Sequence, residues 1–331
     1  MKVLVIGLGS MGKRRLRNLK ALGVAQLAGV DPRADRRAEA AAASPLPTFA
    51  SADEALRSFA PDAIVVSTPP NRHMDYAFLA AERRLPCFIE ASVVDAERIR
   101  QLHERTAHGG PLIAPSCTMR YFPGPQKVKE LVRSGAIGKV LNINYSTGQY
   151  LRDWHPWERI EDYYVSQHAT GGCREIVPFE LTWLNDIFGE PEPVACLRGR
   201  IGDLGVDIDD IYHCWLRYPG PAIASLTIEV LSRPAATREL RVLGAEGQIV
   251  YSSDDNSVRV CSLSMPEWRR IPLERGQAAS GYINPEEPYI AEMRDFLEAA
   301  SARSAFPNSL LDDYRVLQTL DALERRSVPI S

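Results

Sequence analysis

The stretch that decides the fold is MKVLVIGLGSMGKRRLRNL, residues 1–19. Val3 to Gly7 is an apolar run of strand length, and from Met11 to Leu22 the pattern is that of a helix. Between them lies Gly7-Leu8-Gly9-Ser10-Met11-Gly12, a G-x-G-x-x-G sequence. Set between a strand and a helix, such a loop lets the backbone approach a pyrophosphate, and the helix start offers unpaired N–H groups and a positive dipole end. AQLAGVD, 25–31, reads as a second strand. It ends in Asp31, about 20 residues past the glycines, where a carboxylate accepts from an adenosine ribose 2′-hydroxyl. Gly7, Gly9, Ser10, Met11, Gly12 and Asp31 are therefore expected to hold a dinucleotide.

The charge of Asp31 opposes a 2′-phosphate, so NAD is the expected cofactor. Arg33, with Arg36 and Arg37 nearby, offers cations that a small loop shift would turn into a phosphate clamp, which keeps NADP as the alternative.

Working outward, DAIVVST (62–68), PCFIEA (86–91) and PLIAPSC (111–117) are further strands, with helices predicted at 53–58, 74–84 and 95–106. Strand–helix alternation implies a doubly wound parallel sheet with helices on both faces, a Rossmann-type domain over residues 1–120. The pattern then changes. A helix at 124–134 leads into VLNINYSTGQY (140–150), whose strict alternation marks a strand with one wet face. Strand signals recur at 194–201, 210–218, 221–231, 238–243 and 247–251 with glycine turns between them, and helices near 288–300 and 309–326 close the chain. The second domain, 121–331, is thus expected to be α/β with a large, predominantly antiparallel open sheet, its last two helices returning to the first domain.

The chain has 331 residues, 45% apolar and 24% charged, with a formal charge of −3. That balance gives no reason to expect nucleic acid or an anionic membrane as partner. The apolar run at residues 3–7 holds glycine and no cleavage site and is read as a strand, not a leader. The six cysteines form no C-x-x-C pair and stand at no zinc spacing, which suits reduced thiols and a cytoplasmic location. Asp207, Asp209 and Asp210 cluster without histidine or cysteine, so no metal is expected.

Two motifs then carry a resemblance. The third strand ends in STPPNRH (67–73) and the fourth in IEAS (89–92). Here the chain resembles the glucose–fructose oxidoreductase/inositol dehydrogenase (Gfo/Idh/MocA) family, whose members carry T-P-x-x-x-H and E-K-P at such places. The likeness continues through 119–140, 150–164, the glycine pair 171–172 and DIFGEP (186–191). It implies a Rossmann domain, a second domain whose open sheet packs in a homodimer or homotetramer, and hydride transfer between NAD(P) and a carbinol of a sugar-like or nucleotide-sugar substrate. It also implies that Ser67, Thr68, Pro69, Asn71, His73 and Glu90 line the nicotinamide half of the cofactor site.

The resemblance also exposes departures. Ala91 stands where E-K-P has its lysine, and Ser92 where it has proline. The family's aspartate and histidine after the glycine pair fall on Ile176 and on Phe179 or Glu180; a one-residue slip puts Glu175 at the aspartate's place. Three readings stay open: an oxidoreductase with other proton-handling groups, a reductase of an imine or conjugated substrate, or a non-redox relative that binds dinucleotide or sugar. For the first, Glu180 and Glu175 are the acid/base candidates, with Tyr164 and His155 beside them. Pro178 suits a first helical turn, which would place Glu180 near a helix N-terminus. Trp154 and Trp157 of WHPWE suit stacking on a sugar ring. Tyr163, His168, Arg120, Arg152 and Arg174 complete the substrate-side candidates.

Overall fold

The computed structural model describes residues 1–330. The chain divides into two compact units, Met1–Thr118 with Glu286–Tyr314, and Met119–Pro285 with the chain from Arg315.

The first unit contains β1 (Lys2–Ile6), α1 (Ser10–Ala21), β2 (Gln26–Val30), α2 (Ala34–Ala43), β3 (Thr48–Phe49), α3 (Ala52–Phe59), β4 (Ala63–Val66), α4 (His73–Glu82), β5 (Cys87–Ile89), α5 (Ala96–Thr106) and β6 (Ile113–Pro115). The strands form one sheet in the order β3-β2-β1-β4-β5-β6, parallel at every pairing. A parallel sheet covered on both faces requires strands apolar throughout. Val3 to Ile6 and Ala63 to Val66 meet that demand and are almost wholly out of water. Strand order reverses between β1 and β4, so the crevice for a ligand opens at their carboxyl ends.

The second unit contains α6 (Pro123–Arg133), β7 (Val140–Gly148), α7 (Cys173–Phe188), β8 (Glu192–Gly199), β9 (Ile211–Arg217), β10 (Ile223–Glu229), β11 (Thr237–Gly244), β12 (Gly247–Ser252), β13 (Ser257–Ser262) and β14 (Met265–Pro272). α8 (Glu287–Ala300) returns to the first unit, where Met293 and Phe296 join Leu16, Leu19 and Phe88 in its core. α9 (Leu310–Arg325) follows, and β15 (Ser327–Ile330) adds an edge strand to the second sheet. That sheet runs β14-β13-β12-β11-β7-β10-β9-β8-β15. It is mixed: β7–β10 and β8–β15 are parallel pairs, and the other six are antiparallel.

One boundary differs from the sequence reading in a way that matters. α7 begins at Cys173, directly after Gly172 at φ +61°, and Pro178 lies inside it. The glycine makes the turn that a proline at the first helical position would otherwise have announced. Glu175, and not Glu180, therefore occupies the first turn.

Candidate cofactor and substrate sites

The glycine loop is fixed by close approaches that tolerate no side chain. Gly7 has φ +92°, and a Cβ there would lie 2.5 Å from the Ser67 carbonyl oxygen; a Cβ on Gly12 would lie 1.7 Å from the Gly7 carbonyl oxygen. Gly9 differs: a Cβ there would meet only the Arg36 guanidinium, at 3.6 Å. It precedes α1, whose first turn carries Ser10 and Met11. The loop is thus closed toward the sheet and open on the side a phosphate would approach.

Asp31 is anchored from both sides. The Leu8 N–H donates to Oδ2 and the Arg33 N–H to Oδ1, each at 2.9 Å. The carboxylate is therefore held at the end of β2 with lone pairs to spare for ribose hydroxyls. The Arg33 side chain turns to Asp35, at 2.5 and 3.2 Å. Arg36 stands 3.9 Å from Asp31, and Arg37 donates to the Asp31 carbonyl at 2.7 Å.

At the carboxyl end of β4, Ser67 donates its hydroxyl to Glu90 Oε1 at 3.0 Å. Glu90 follows β5 and takes a two-pronged grip from Arg15, Nε to Oε1 at 2.7 Å and Nη2 to Oε2 at 2.8 Å. Thr68 and Pro69 lead into a short 3-10 turn, where Asn71 is exposed, and α4 starts at His73. His73 Nε2 meets the Thr68 carbonyl at 2.8 Å. A carbonyl only accepts, so Nε2 carries the proton and Nδ1 is left as an acceptor. Burial keeps this imidazole below its usual pKa, against the pull of the Thr68 carbonyl, Glu90 and Asp95. Nδ1 of His73 and Oγ1 of Thr68 are both buried without a hydrogen-bond partner. Unpaired buried polar atoms just past the end of β4 and at the start of α4, beside the glycine loop, fit a bound dinucleotide.

The second unit gathers a different set. His155 is stacked between Trp157 (5.2 Å, 21°) and Tyr163 (4.8 Å, 25°), with Tyr282 beside Trp157 at 6.5 Å. Trp157 is 54% exposed and offers an indole face to solvent. Tyr163 meets Tyr164 edge-on, and Tyr164 donates to Glu175 Oε1 at 2.6 Å. The Glu175 residue as a whole is only half-buried, but its carboxyl group is out of water and Oε2 has no partner. Burial pushes this carboxyl up to about 7, against the Tyr164 hydrogen bond. Burial, with the charges of Glu175 and Glu158, also raises Tyr163 above the ordinary phenol range. Trp154 has a buried, unpartnered indole N–H in the same loop.

The other candidates lie apart from this group. Glu180 has no exposed surface; Tyr145 and Trp183 donate to Oε2 at 2.6 and 2.7 Å, and Arg238 to Oε1 at 2.5 Å. Arg174 reaches Glu324 and Asp321 of α9 and the Ala169 carbonyl. His168 faces Asp209 at 3.6 Å, Arg152 donates to the Leu204 carbonyl at 2.6 Å, and Arg120 to the Thr182 carbonyl at 3.1 Å. Among the described residues, no group of three or more acidic, histidine or cysteine side chains is placed to hold a metal ion.

Residues 1–108 match the family model for the oxidoreductase family with an NAD-binding Rossmann fold, and residues 126–250 match the GFO/IDH/MocA C-terminal domain. The chain belongs to the GFO/IDH/MocA oxidoreductase family. Inositol 2-dehydrogenase of Leifsonia xyli subsp. xyli is 32% identical over 145 residues, 43% of this chain and 43% of that protein. D-xylose 1-dehydrogenase (NADP(+)) of Hypocrea jecorina is 26% identical over 224 residues, 61% of this chain and 56% of that protein. The chain spans about half the length of these curated relatives. An oxidoreductase from Agrobacterium radiobacter, solved with NAD+, L-tartaric acid and magnesium, superposes with a TM-score of 0.86 over 98% of this chain and 96% of that one, at 14% identity. That likeness is one of fold.

Within this GFO/IDH/MocA chain, the residues that sequence reasoning missed are buried partners: Arg15 and Glu292 around Glu90, Tyr145 and Arg238 around Glu180, and Asp313 close to Ser92. Nothing in the spacing of KRRLRNLK marks its buried arginines, and the fold shows that Arg14 and Arg15 both turn inward.

Proposed function

We propose that this protein transfers hydride between NAD and a carbinol carbon of a cyclic polyol or sugar, with Glu175 handling the proton. The observation that carries the reading is the anchored Asp31 carboxylate beside a glycine loop open toward a phosphate. Gly7, Gly9, Gly12 and the first turn of α1 would hold the pyrophosphate, and Asp31 the adenosine ribose. Ser67, Thr68, His73 and Glu90 would line the nicotinamide end. The pairing of Arg33 with Asp35 leaves that guanidinium engaged and supports NAD over NADP. When bound, NAD+ supplies the hydride acceptor.

A neutral alcohol that gives up hydride must also lose its hydroxyl proton, and Ala91 has no group to take it. Glu175 is suited to the task. Burial pushes its carboxyl up to about 7, near the operating pH of a general base, and Oε2 is unpartnered while Tyr164 holds Oε1. Trp157 presents a flat apolar face for the C–H side of a ring, and His155, held by two aromatic neighbours, stiffens that wall. The exposed side chains of Trp215 on β9 and Ile223 on β10, on one face of the second unit's sheet, support a homo-oligomer. The relatives named above act, by their names, on inositol and on xylose, and a panel of cyclic polyols and aldoses is the matching substrate set.

Glu175→Gln is expected to lower kcat by roughly 10²–10⁴ with NADH affinity within about twofold of wild type. Unchanged kcat would remove Glu175 from the reaction. The second reading, a dinucleotide-binding relative without turnover, draws on the methyl group at Ala91; it predicts cofactor binding with no oxidation of any member of the panel.

A further inference from the structure

The fully buried guanidinium of Arg15 serves two carboxylates. Beyond its two hydrogen bonds to Glu90, its Nη1 lies 2.9 Å from Glu292 Oε2, an ion pair whose angle falls short of a hydrogen bond. Glu292, on α8, is itself wholly buried and takes hydrogen bonds from the Ser116 hydroxyl at 3.0 Å, the Cys117 N–H at 2.6 Å and the Thr118 hydroxyl at 2.6 Å. One side chain of α1 thus fixes the carboxyl ends of β5 and β6 and, through Ser67 on Glu90, that of β4. Burial opposes the charge on Arg15, and Glu90 and Glu292 more than offset it, so the guanidinium stays protonated.

Burying such a charge is costly even when it is paired. Glu90 is the member of the cluster that keeps contact with solvent, with 13% of its side chain exposed, at the strand ends toward which a dinucleotide extends from Asp31 on β2 across the glycine loop. Arg15 divides its charge between two carboxylates and does not cancel that of Glu90. We propose that Arg15 is a positioning residue that holds the Glu90 carboxylate as a fixed negative charge under the nicotinamide, favouring the cationic ring of NAD+ over the neutral ring of NADH. The inference rests on the dinucleotide reading above and adds to it a control of the affinity ratio between the two redox forms.

Calorimetric titration of NAD+ and of NADH into wild type, Glu90→Gln, Glu292→Gln and Arg15→Lys tests it, with the Tm of each cofactor-free protein measured alongside. Glu90→Gln keeps the shape and removes the charge. It should raise the Kd for NAD+ roughly five- to tenfold and that for NADH less than twofold. Glu292→Gln gives Glu90 the undivided charge of Arg15 and should move the ratio the same way, by roughly two- to threefold. Arg15→Lys keeps the charge but loses the fork that fixes Glu90, and should also lower the preference for NAD+, by roughly two- to threefold. A purely structural cluster would lower Tm and leave the ratio unchanged in Glu90→Gln and Glu292→Gln, which overturns the proposal; if Glu90→Gln does not fold, Glu292→Gln decides. Wild type that binds both forms with an unmoved ratio in the variants sinks this inference alone. Wild type that binds neither sinks the dinucleotide reading with it.

Discussion

Asp313, in the first turn of α9, is 5% exposed, and burial pushes its carboxyl up to about 7, with the nearby Ser92 hydroxyl pulling it down and Asp312 adding to the rise. A carboxyl whose folded pKa lies above its unfolded value stabilises the fold at low pH, and that contribution is lost as pH climbs toward the folded value. Wild type should therefore lose stability between pH 4 and pH 7 by about 2–4 kcal/mol from this group. In Asp313→Asn the fall should be smaller, and denaturant titrations at pH 5 and pH 8 measure the difference. An equal fall in both proteins would show that Asp313 does not titrate in this range. Glu180 makes the opposite kind of prediction. Glu180→Ala strands the Arg238 charge and the Tyr145 and Trp183 donors, and should cost about 3–5 kcal/mol in the same assay.

The glycine loop is the element in which sequence and structure correspond most closely, and its glycines should separate by function. Gly12→Ala drives a methyl group into the Gly7 carbonyl, so it should lower Tm and abolish NADH binding together. Gly9→Ala meets only the tip of Arg36, so it should keep Tm within about a degree while weakening NADH at least tenfold. The loop and the strands β1, β4 and β5 were legible because a covered parallel sheet demands unbroken apolar runs and a phosphate loop demands glycine. Other elements were not. AEAAAA in α2 carries too little apolar contrast for a periodicity, and β14, with its run of exposed charged residues, takes its place in the sheet from β13. Pro178 misplaced the start of α7 because the turn that begins it is made by Gly172. The candidate site divided along the same line. Asp31, Ser67 and Glu90 sit at strand ends that a pattern can find. The partners that tune them, Arg15 and Glu292, are charged residues on helices, and no pattern in the sequence marks them as buried.

At the scale of the whole molecule, the second sheet has one face packed by α6 and α7, while Leu197, Trp215, Ile223, Leu243 and Val328 share the other, all exposed. An apolar face of this extent suits burial against another copy. Trp215→Glu with Ile223→Glu should leave only monomers in light scattering, against a larger wild-type assembly, while Tm and NADH affinity persist; a wild-type monomer would contradict that assignment. Purified protein should be denatured and the released nucleotide identified, with calorimetric titration of NAD+, NADH and NADPH into the refilled or empty protein. NAD(H) should be found bound at one per chain, and NADPH should bind more weakly. No released nucleotide together with no heat of binding for any of the three would contradict the dinucleotide reading.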